Sequence, residues 1–522
     1  MSLRLGPIVH FQGIHAGKYR VSALLVSDLG DPPPVAKLVN CKLIDVEKIA
    51  AIPFGKPTRN VWRIQVAVTQ KKNTALRCDI DVGNGLASFH VPAAGESPCI
   101  AYESCNGFSA EKYRKKVIDR ANERWFDMGQ RHAVKDKEFH LLLMGGDQVY
   151  TDSLAVLAGP MKDWSELSHK EQVGATWNKK LEDQVDQFLA ELYVSRWSQE
   201  GVRQMLQAIP YVAMWDDHDI TDGWGSYPQD LHESEVYQNL FRLASAYYRL
   251  FQQQLKVGET HPAALPVVSE KPAPVQGFTL VYAGLGELAI LVPDLRSERQ
   301  PDLKKKEDGS FTPTRIASEA TWDSIFAWLK GLSAARPRHL LVCSSLPVAY
   351  LDLNAAEVAL NALPGTWELE DDLRDHWRSK PHRDERQRLI KRLLDFSALG
   401  TRVTIVSGDV HVAAAAVIES TLPQHGNGAG VIFQLVSTGI VHTPPPAVAV
   451  YFMEKFGAGQ ETIEYGVSAR MLPIGFKGHY LVPERNWLSL EPDKKGRIWA
   501  NWHVEGHEHL LTQVIDPVMR AE

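Results

Sequence analysis

Apolar and polar positions along the chain follow two patterns, and the change between them divides the sequence. Over residues 1–95 the period is two: KYRVSALLVSD (18–28), VWRIQVAVTQ (61–70), TALRCDIDV (74–82) and GLASFHVPA (85–93) all read as strands. A Lys-Lys-Asn turn joins the second and third of these and predicts a hairpin, while Asp-Pro-Pro-Pro (31–34) closes off the first. Strands at this spacing fit an antiparallel, sandwich-like β domain over residues 1–95.

From about residue 97 the apolar runs become short and continuous: FHLLLMG (139–145), IPYVAMW (209–215), LAILVP (288–293), HLLVCSS (339–345), RVTIVSG (402–408) and GVIFQLVS (430–437). Such runs read as strands buried on both faces. Between them Leu181, Val185, Phe188 and Leu192 recur at helical spacing, as do Val236, Leu240, Leu243 and Tyr247. Strands alternating with helices predict an α/β domain over 96–445. Pro-rich stretches at 262–274 and 443–446 mark loops. A closing hairpin around Asp-Lys-Lys-Gly (493–496) belongs to a β-rich extension over 446–522, expected to pack on the α/β domain.

Composition narrows the class. A chain of 522 residues asks for more than one core, and 44% hydrophobic with 23% charged residues is ordinary for a soluble protein. A net charge of −6 disfavours a general nucleic-acid binder. No stretch approaches the roughly 18 apolar residues of a membrane span, and the amino terminus shows neither a signal-peptide core nor a twin arginine. The five cysteines are odd in number and contain no C-x-x-C pair, which favours a reducing compartment and a cytoplasmic location.

The chemistry lies where apolar runs stop. FHLLLMG leads into GDQVY, with Asp147 and Tyr150; IPYVAMW leads into DDHD, with Asp216, Asp217, His218 and Asp219, then Asp222; RVTIVSG leads into DVH, with Asp409 and His411. The carboxyl ends of strands in an open α/β sheet are where ligands gather. Carboxylates crowded together repel unless a cation sits among them, and oxygen ligands with some imidazole suit Mn, Fe, Zn, Ca or Mg. Two such ions about 3.5–4 Å apart form a common device for cutting phosphate esters. Each residue also has an ordinary reading: a solvated turn with an Asp helix cap for 216–222, a packed aromatic for Tyr150, a small buried side chain for Cys105, a structural ion pair with Asp294 or Glu298 for Arg296. Other lures are weaker. GNGAG (426–430) precedes a strand, His507 and His509 read as surface, and Ser344-Ser345 lacks a nucleophile elbow.

GDQVY, WDDHD, DLRSER and SGDVH, in this order over roughly residues 97–445, resemble the PhoD-like alkaline phosphatase/phosphodiesterase family of calcineurin-like metallophosphatases. The resemblance implies a four-layer αββα sandwich and hydrolysis of a phosphomonoester or phosphodiester by a hydroxide bridging two metals. It makes Asp147 the bridging ligand, Tyr150 a phenolate ligand and Cys105 in ESCNG the first-strand ligand. Asp217 would bind the second metal, and Asp409 and His411 would complete the shell. His218 would contact the phosphate and protonate the leaving group, with Asp216 beside it in the catalytic group. Arg296 would hold a phosphate oxygen, with Arg299 as a second candidate. A cysteine and a tyrosine in the shell favour Fe with Ca; Mn, Zn or Mg are the alternatives. Asp219 stands where the family usually has glutamate. Trp224, Tyr227 and the helical segments 160–205 and 235–256 are expected to shape the cleft for a small phosphoester or a phospholipid- or nucleotide-like substrate. Two rivals share the ligands: a metal-dependent hydrolase of a non-phosphate bond, and a catalytically silent scaffold. Substrate and oligomeric state are not legible.

Overall fold

The strand Arg59–Val68 is buried along most of its length, and its pairing on both edges organises the amino-terminal part of the chain. The computed structural model describes residues 2–268, 277–300, 315–351, 377 and 382–520, together with the backbone of 304–305 and 311–312. They form two compact units: 1–101, 106–222 and 230–263 in the first, and 102–105, 223–229 and 264–522 in the second.

In the first unit six strands run in the order Lys42–Ile52, Arg59–Val68, Lys18–Asp28, Leu3–His15, Tyr211–Met214, Leu141–Gly145. The first four are antiparallel to their neighbours, whereas Leu3–His15 meets Tyr211–Met214 in parallel, His10 opposite Tyr211. Tyr211–Met214 is also parallel to Leu141–Gly145, with Tyr211 opposite Leu142. The expected hairpin of 61–70 with 74–82 does not form. Arg59–Val68 lies between Lys18–Asp28 and Lys42–Ile52, and Leu76–Asp81 joins Leu86–Val91 and Lys37–Val39 in a separate three-stranded sheet. A single bridge, Lys71 to Thr74, marks the turn. Burial on both faces outweighed the local turn signal, and the edge strand Lys42–Ile52, mostly exposed and poorly alternating, was not read from the sequence.

The helix Lys179–Trp197 starts at Asn178, whose Oδ1 accepts from Lys180 N at 3.0 Å and Leu181 N at 3.2 Å. Its buried stripe is Leu181, Val185, Leu189, Tyr193 and Trp197, not the predicted 181, 185, 188 and 192. Aromatic packing of Tyr193 on Phe251 (4.8 Å) and Trp197 on Tyr211 (5.7 Å) selects the four-residue step and turns Phe188 and Leu192 partly outward. The second helix matches its pattern: Ser234 caps Glu235–Tyr247, and Val236, Leu240, Leu243 and Tyr247 are all buried.

The second unit is built on a sheet ordered Leu280–Leu285, Leu288–Val292, His339–Ser344, Arg402–Ser407, Val431–Val436, Ala413–Ser420, Val467–Leu472, Glu461–Glu464. Leu288–Val292, His339–Ser344, Arg402–Ser407 and Val431–Val436 are parallel neighbours, so their carboxyl ends share one edge. Helices Glu319–Leu332 and Arg383–Ser397 contribute Trp322, Ile325, Leu389, Leu393 and others to the core over this sheet. The predicted closing hairpin is present as Asn486–Pro492 with Ile498–Val504, extended by Leu511–Ile515. The fold is therefore α/β with large mixed sheets. Among the described residues no helix is long and apolar enough to cross a membrane.

Candidate metal centre

In the first unit two parallel strands end side by side and their loops touch. Gly146 follows Leu141–Gly145 with φ +104°, and a Cβ there would lie 2.9 Å from the Asp216 Cβ, so glycine permits the approach. Asp147 comes next in a left-handed conformation (φ 55°), 1% exposed. Gly107 gives the following turn its room, since a Cβ there would meet the Tyr150 ring at 2.3 Å. Tyr150 Oη donates to Asp147 Oδ2 at 3.5 Å.

The other strand, Tyr211–Met214, passes through Asp216 into a short 3-10 turn, Asp217–Asp219. Asp219 fastens the two loops: it accepts from Asp216 N (3.0 Å), Gln148 N (3.1 Å), Val149 N (3.2 Å) and Gln252 Nε2 (2.9 Å). An aspartate reaches all four donors, so the shorter arm is matched to this geometry. Burial still pushes its pKa up to about 7 against the pull of those hydrogen bonds.

Ligand atoms of Asp147, Asp217 and His218 lie within 4.8 Å of one another, as do those of Asp147, Asp216 and Asp217, and those of Asp152, His218 and Asp222. Burial raises the Asp147 pKa far above the carboxylate range; His218 opposes this, while Asp216, Asp217 and Asp219 add to it. For His218 burial acts downward, but Asp152, Asp217, Asp147 and Asp222 outweigh it and hold the pKa well above the usual imidazole value. Its Nδ1 lies 3.0 Å from Asp152 Oδ1, and its ring stacks on Tyr150 at 4.4 Å. Hard carboxylate oxygens with one imidazole, buried and mutually repelling, are a donor set that fits a divalent or trivalent cation.

The second unit gathers a different set. Cys105 is fully buried, its Sγ 2.9 Å from Thr438 Oγ1 and 3.8 Å from the Asp409 carbonyl. His442 donates its backbone N–H to the Cys105 carbonyl at 3.2 Å, and its ring stacks on His411 at 3.8 Å. Cys105, Asp409 and His411 thus lie close together within this unit, with His442 as a neighbour that the sequence reading missed. Its signal was available, since GVIFQLVS runs into TGIVH as the other strands run into their acids. Cys105 (57°), Asp147 (55°), Asp409 (69°) and His411 (52°) all take positive φ, a conformation that costs about 1–3 kcal/mol outside glycine and concentrates at functional sites.

Arg296 is fully buried; its Nη1 donates to the Trp224 carbonyl at 3.0 Å, and Trp224 Nε1 donates to the Arg296 carbonyl at 3.2 Å. Asp294 accepts the backbone N–H of Arg296 and Ser297 (3.0 Å each) and of Phe278 (2.8 Å), and Glu298 accepts from Ser318 N at 2.8 Å. Arg299 Nη2 lies 3.2 Å from His382 Nε2. Asp152 and Gln252 also escaped the sequence reading, because neither belongs to a motif and each matters only through what it holds.

An uncharacterized protein of Saccharomyces cerevisiae is 28% identical over 424 residues, 70% of this chain and 60% of the yeast protein, so the chain spans less than two thirds of that relative. A solved structure of PhoD superposes with a TM-score of 0.56 at 15% identity, covering 97% of this chain and 88% of PhoD, a likeness of fold. The family model described as PhoD related phosphatase matches residues 96–364 and 358–458, most of the chain, and the protein therefore belongs to the PhoD-related phosphatases.

Proposed function

We propose that this protein hydrolyses phosphate esters, mono- or diesters, at a binuclear metal centre. The observation that carries the reading is the buried convergence of Asp147, Asp217 and His218 at the carboxyl ends of adjoining parallel strands, in a chain of this family. Asp147, Asp217 and Tyr150 would hold the cations, and the family resemblance adds Cys105, Asp409 and His411. Fe with Ca is the first expectation, and Mn, Zn or Mg are alternatives. When bound, the cations supply Lewis acidity, activating the attacking water and neutralising phosphoryl charge.

The remaining roles belong to side chains. Asp152 engages Nδ1 of His218 and keeps the imidazole protonated, so Nε2 is left to donate a proton to the leaving oxygen. Asp216 stands beside His218 in the catalytic group. Asp219 keeps the two loops in register, and Arg296 would meet a phosphate oxygen, its guanidinium oriented by Trp224. The four-layer αββα sandwich and the cytoplasmic location are proposed on the family resemblance and the free cysteines.

The test is metal content by elemental analysis beside turnover of 4-nitrophenyl phosphate and bis(4-nitrophenyl) phosphate. About two metals per chain and metal-dependent turnover are expected, with both lost in Asp147→Asn. A metal-loaded protein that cleaves carboxylic esters and ignores phosphoesters, or that is inert to both, overturns the reading in favour of one of its rivals.

A further inference from the structure

Within the first unit a cavity of about 800 Å³ opens beside the acidic cluster, and Tyr150 and Asp152 form part of its wall. These are the side chains that stack on His218 and bond to its Nδ1, so the cavity adjoins the proposed chemistry. Much of the remaining wall is hydrocarbon: Phe108, Ile118, Val156 and Leu192 all face it. Ile118 and Val156 are 53% and 73% exposed, large apolar side chains standing in water beside this cavity. The arginines that line it already hold local acceptors, charged for Arg114 and neutral for Arg196. Arg114 pairs with Glu111 at 2.6 Å, and Arg196 bonds the Asn106 carbonyl at 2.7 Å and Gln199 Oε1 at 2.6 Å. Asn106, Ser109, Ser153 and Gln199 add polar positions, and the apolar stretch of Phe108, Ile118, Val156 and Leu192 is where an alkyl chain or aryl ring would lose water and gain contact.

We propose that this cavity binds the organic group of the ester, and that this group is apolar: the substrate is an amphiphilic phosphoester. The proposal rests on the phosphoesterase reading and adds the substrate class. The outward turn of Leu192 on its helix has a use in this reading, since that side chain forms cavity wall rather than core.

The full metal-loaded chain is assayed with methyl and octyl 4-nitrophenyl phosphate free in solution, and with the hexadecyl analogue held in phosphatidylcholine vesicles. The octyl or the vesicle-held ester should exceed the methyl ester in kcat/KM by about tenfold or more. Preference for the dissolved octyl ester assigns a soluble amphiphile, and preference for the vesicle-held ester assigns a membrane lipid. Val156→Glu and Ile118→Glu, at exposed positions and checked for folding by circular dichroism, should raise KM for the preferred ester about tenfold and collapse the chain-length preference. Equal kcat/KM for all three esters, or a preference that survives both variants, overturns the inference. Hydrolysis of none of them overturns the phosphoesterase reading instead. The cavity is then judged by calorimetry with octylphosphonate: saturable binding weakened by Val156→Glu supports the apolar site, and no binding overturns it.

Discussion

Both units place reactive groups at the carboxyl ends of parallel strands, yet the two sets differ in charge. In the first unit Asp147, Asp216, Asp217 and Asp219 are all at most 4% exposed around one imidazole. In the second, the corresponding strand ends carry three carboxylates, Asp294, Glu298 and Asp409, with a thiol, two stacked imidazoles and two buried guanidiniums. Several members of the second set bond to neighbours within the unit: Cys105 with Thr438, His442 with Thr443, Arg296 with Trp224, Arg299 with His382. In the first set burial raises the Asp147 pKa, and the neighbouring Asp216, Asp217 and Asp219 add to it. A site that holds cations must carry unbalanced negative charge in the bare protein, and its stability is lowered for the sake of function. On the proposed reading, the first unit supplies the more crowded share of the cation-holding carboxylates.

The largest effect that tests this contrast is at Asp147. Asp147→Asn should lower phosphoester turnover about a thousandfold or more. The same change should stabilise the metal-free protein by about 1–2 kcal/mol, because it removes a desolvated carboxylate and asparagine tolerates the left-handed backbone. Thermal melts in EDTA beside the activity assay check both, and a lower metal-free Tm would break the comparison.

Acid should separate the units next. Burial depresses His132 and His140 to about 4 and His261 to about 3, all in the first unit, and His339 in the second to about 4. Their folded-state values lie below the unfolded value near 6.5, so the unfolded chain binds more protons between them. Stability is full above about pH 6.5 and falls as pH drops toward 4, by up to about 1.4 kcal/mol per pH unit for each such histidine. Hydrogen exchange followed from pH 7.5 to 5 should show the first unit losing protection at the higher pH.

Asp219→Ala sharpens the contrast inside one loop. It strips the acceptor from three backbone N–H groups and Gln252, and should cost about 3 kcal/mol, opposite in sign to Asp147→Asn. Urea unfolding of the two metal-free variants side by side reads that difference. The smallest effect belongs to the second unit: Thr438→Val removes the hydroxyl beside Cys105 and should cost about 1 kcal/mol. A much larger loss in the same urea titration would mean that this set is as loaded as the first.

How far the chain could be read in advance varies by element. Runs such as FHLLLMG and IPYVAMW announced buried strands because a parallel strand is apolar on both faces, and the acids after them were visible as soon as the runs ended. The stripe of Glu235–Tyr247 was legible because its capping serine and helical period agree. For Lys179–Trp197 the same method chose Phe188 and Leu192, which the fold leaves half-buried, since aromatic neighbours 14 and 58 residues distant set the stripe.

Read alone, then, the amino-acid order carried the α/β class, the strand ends and the identity of the acids, because periodicity and turn chemistry are properties of neighbouring residues. It could not carry the pairing of Leu3–His15 with Tyr211–Met214, the splitting of the expected hairpin between two sheets, or the division of labour among the aspartates. Asp219 binds amides while Asp147 and Asp217 bring carboxylate oxygens within 4.8 Å of each other, and nothing in DDHD distinguishes them. That distinction depends on which backbone donors and which carboxylates arrive from positions some seventy residues away, and burial turns those meetings into energies that no local pattern contains.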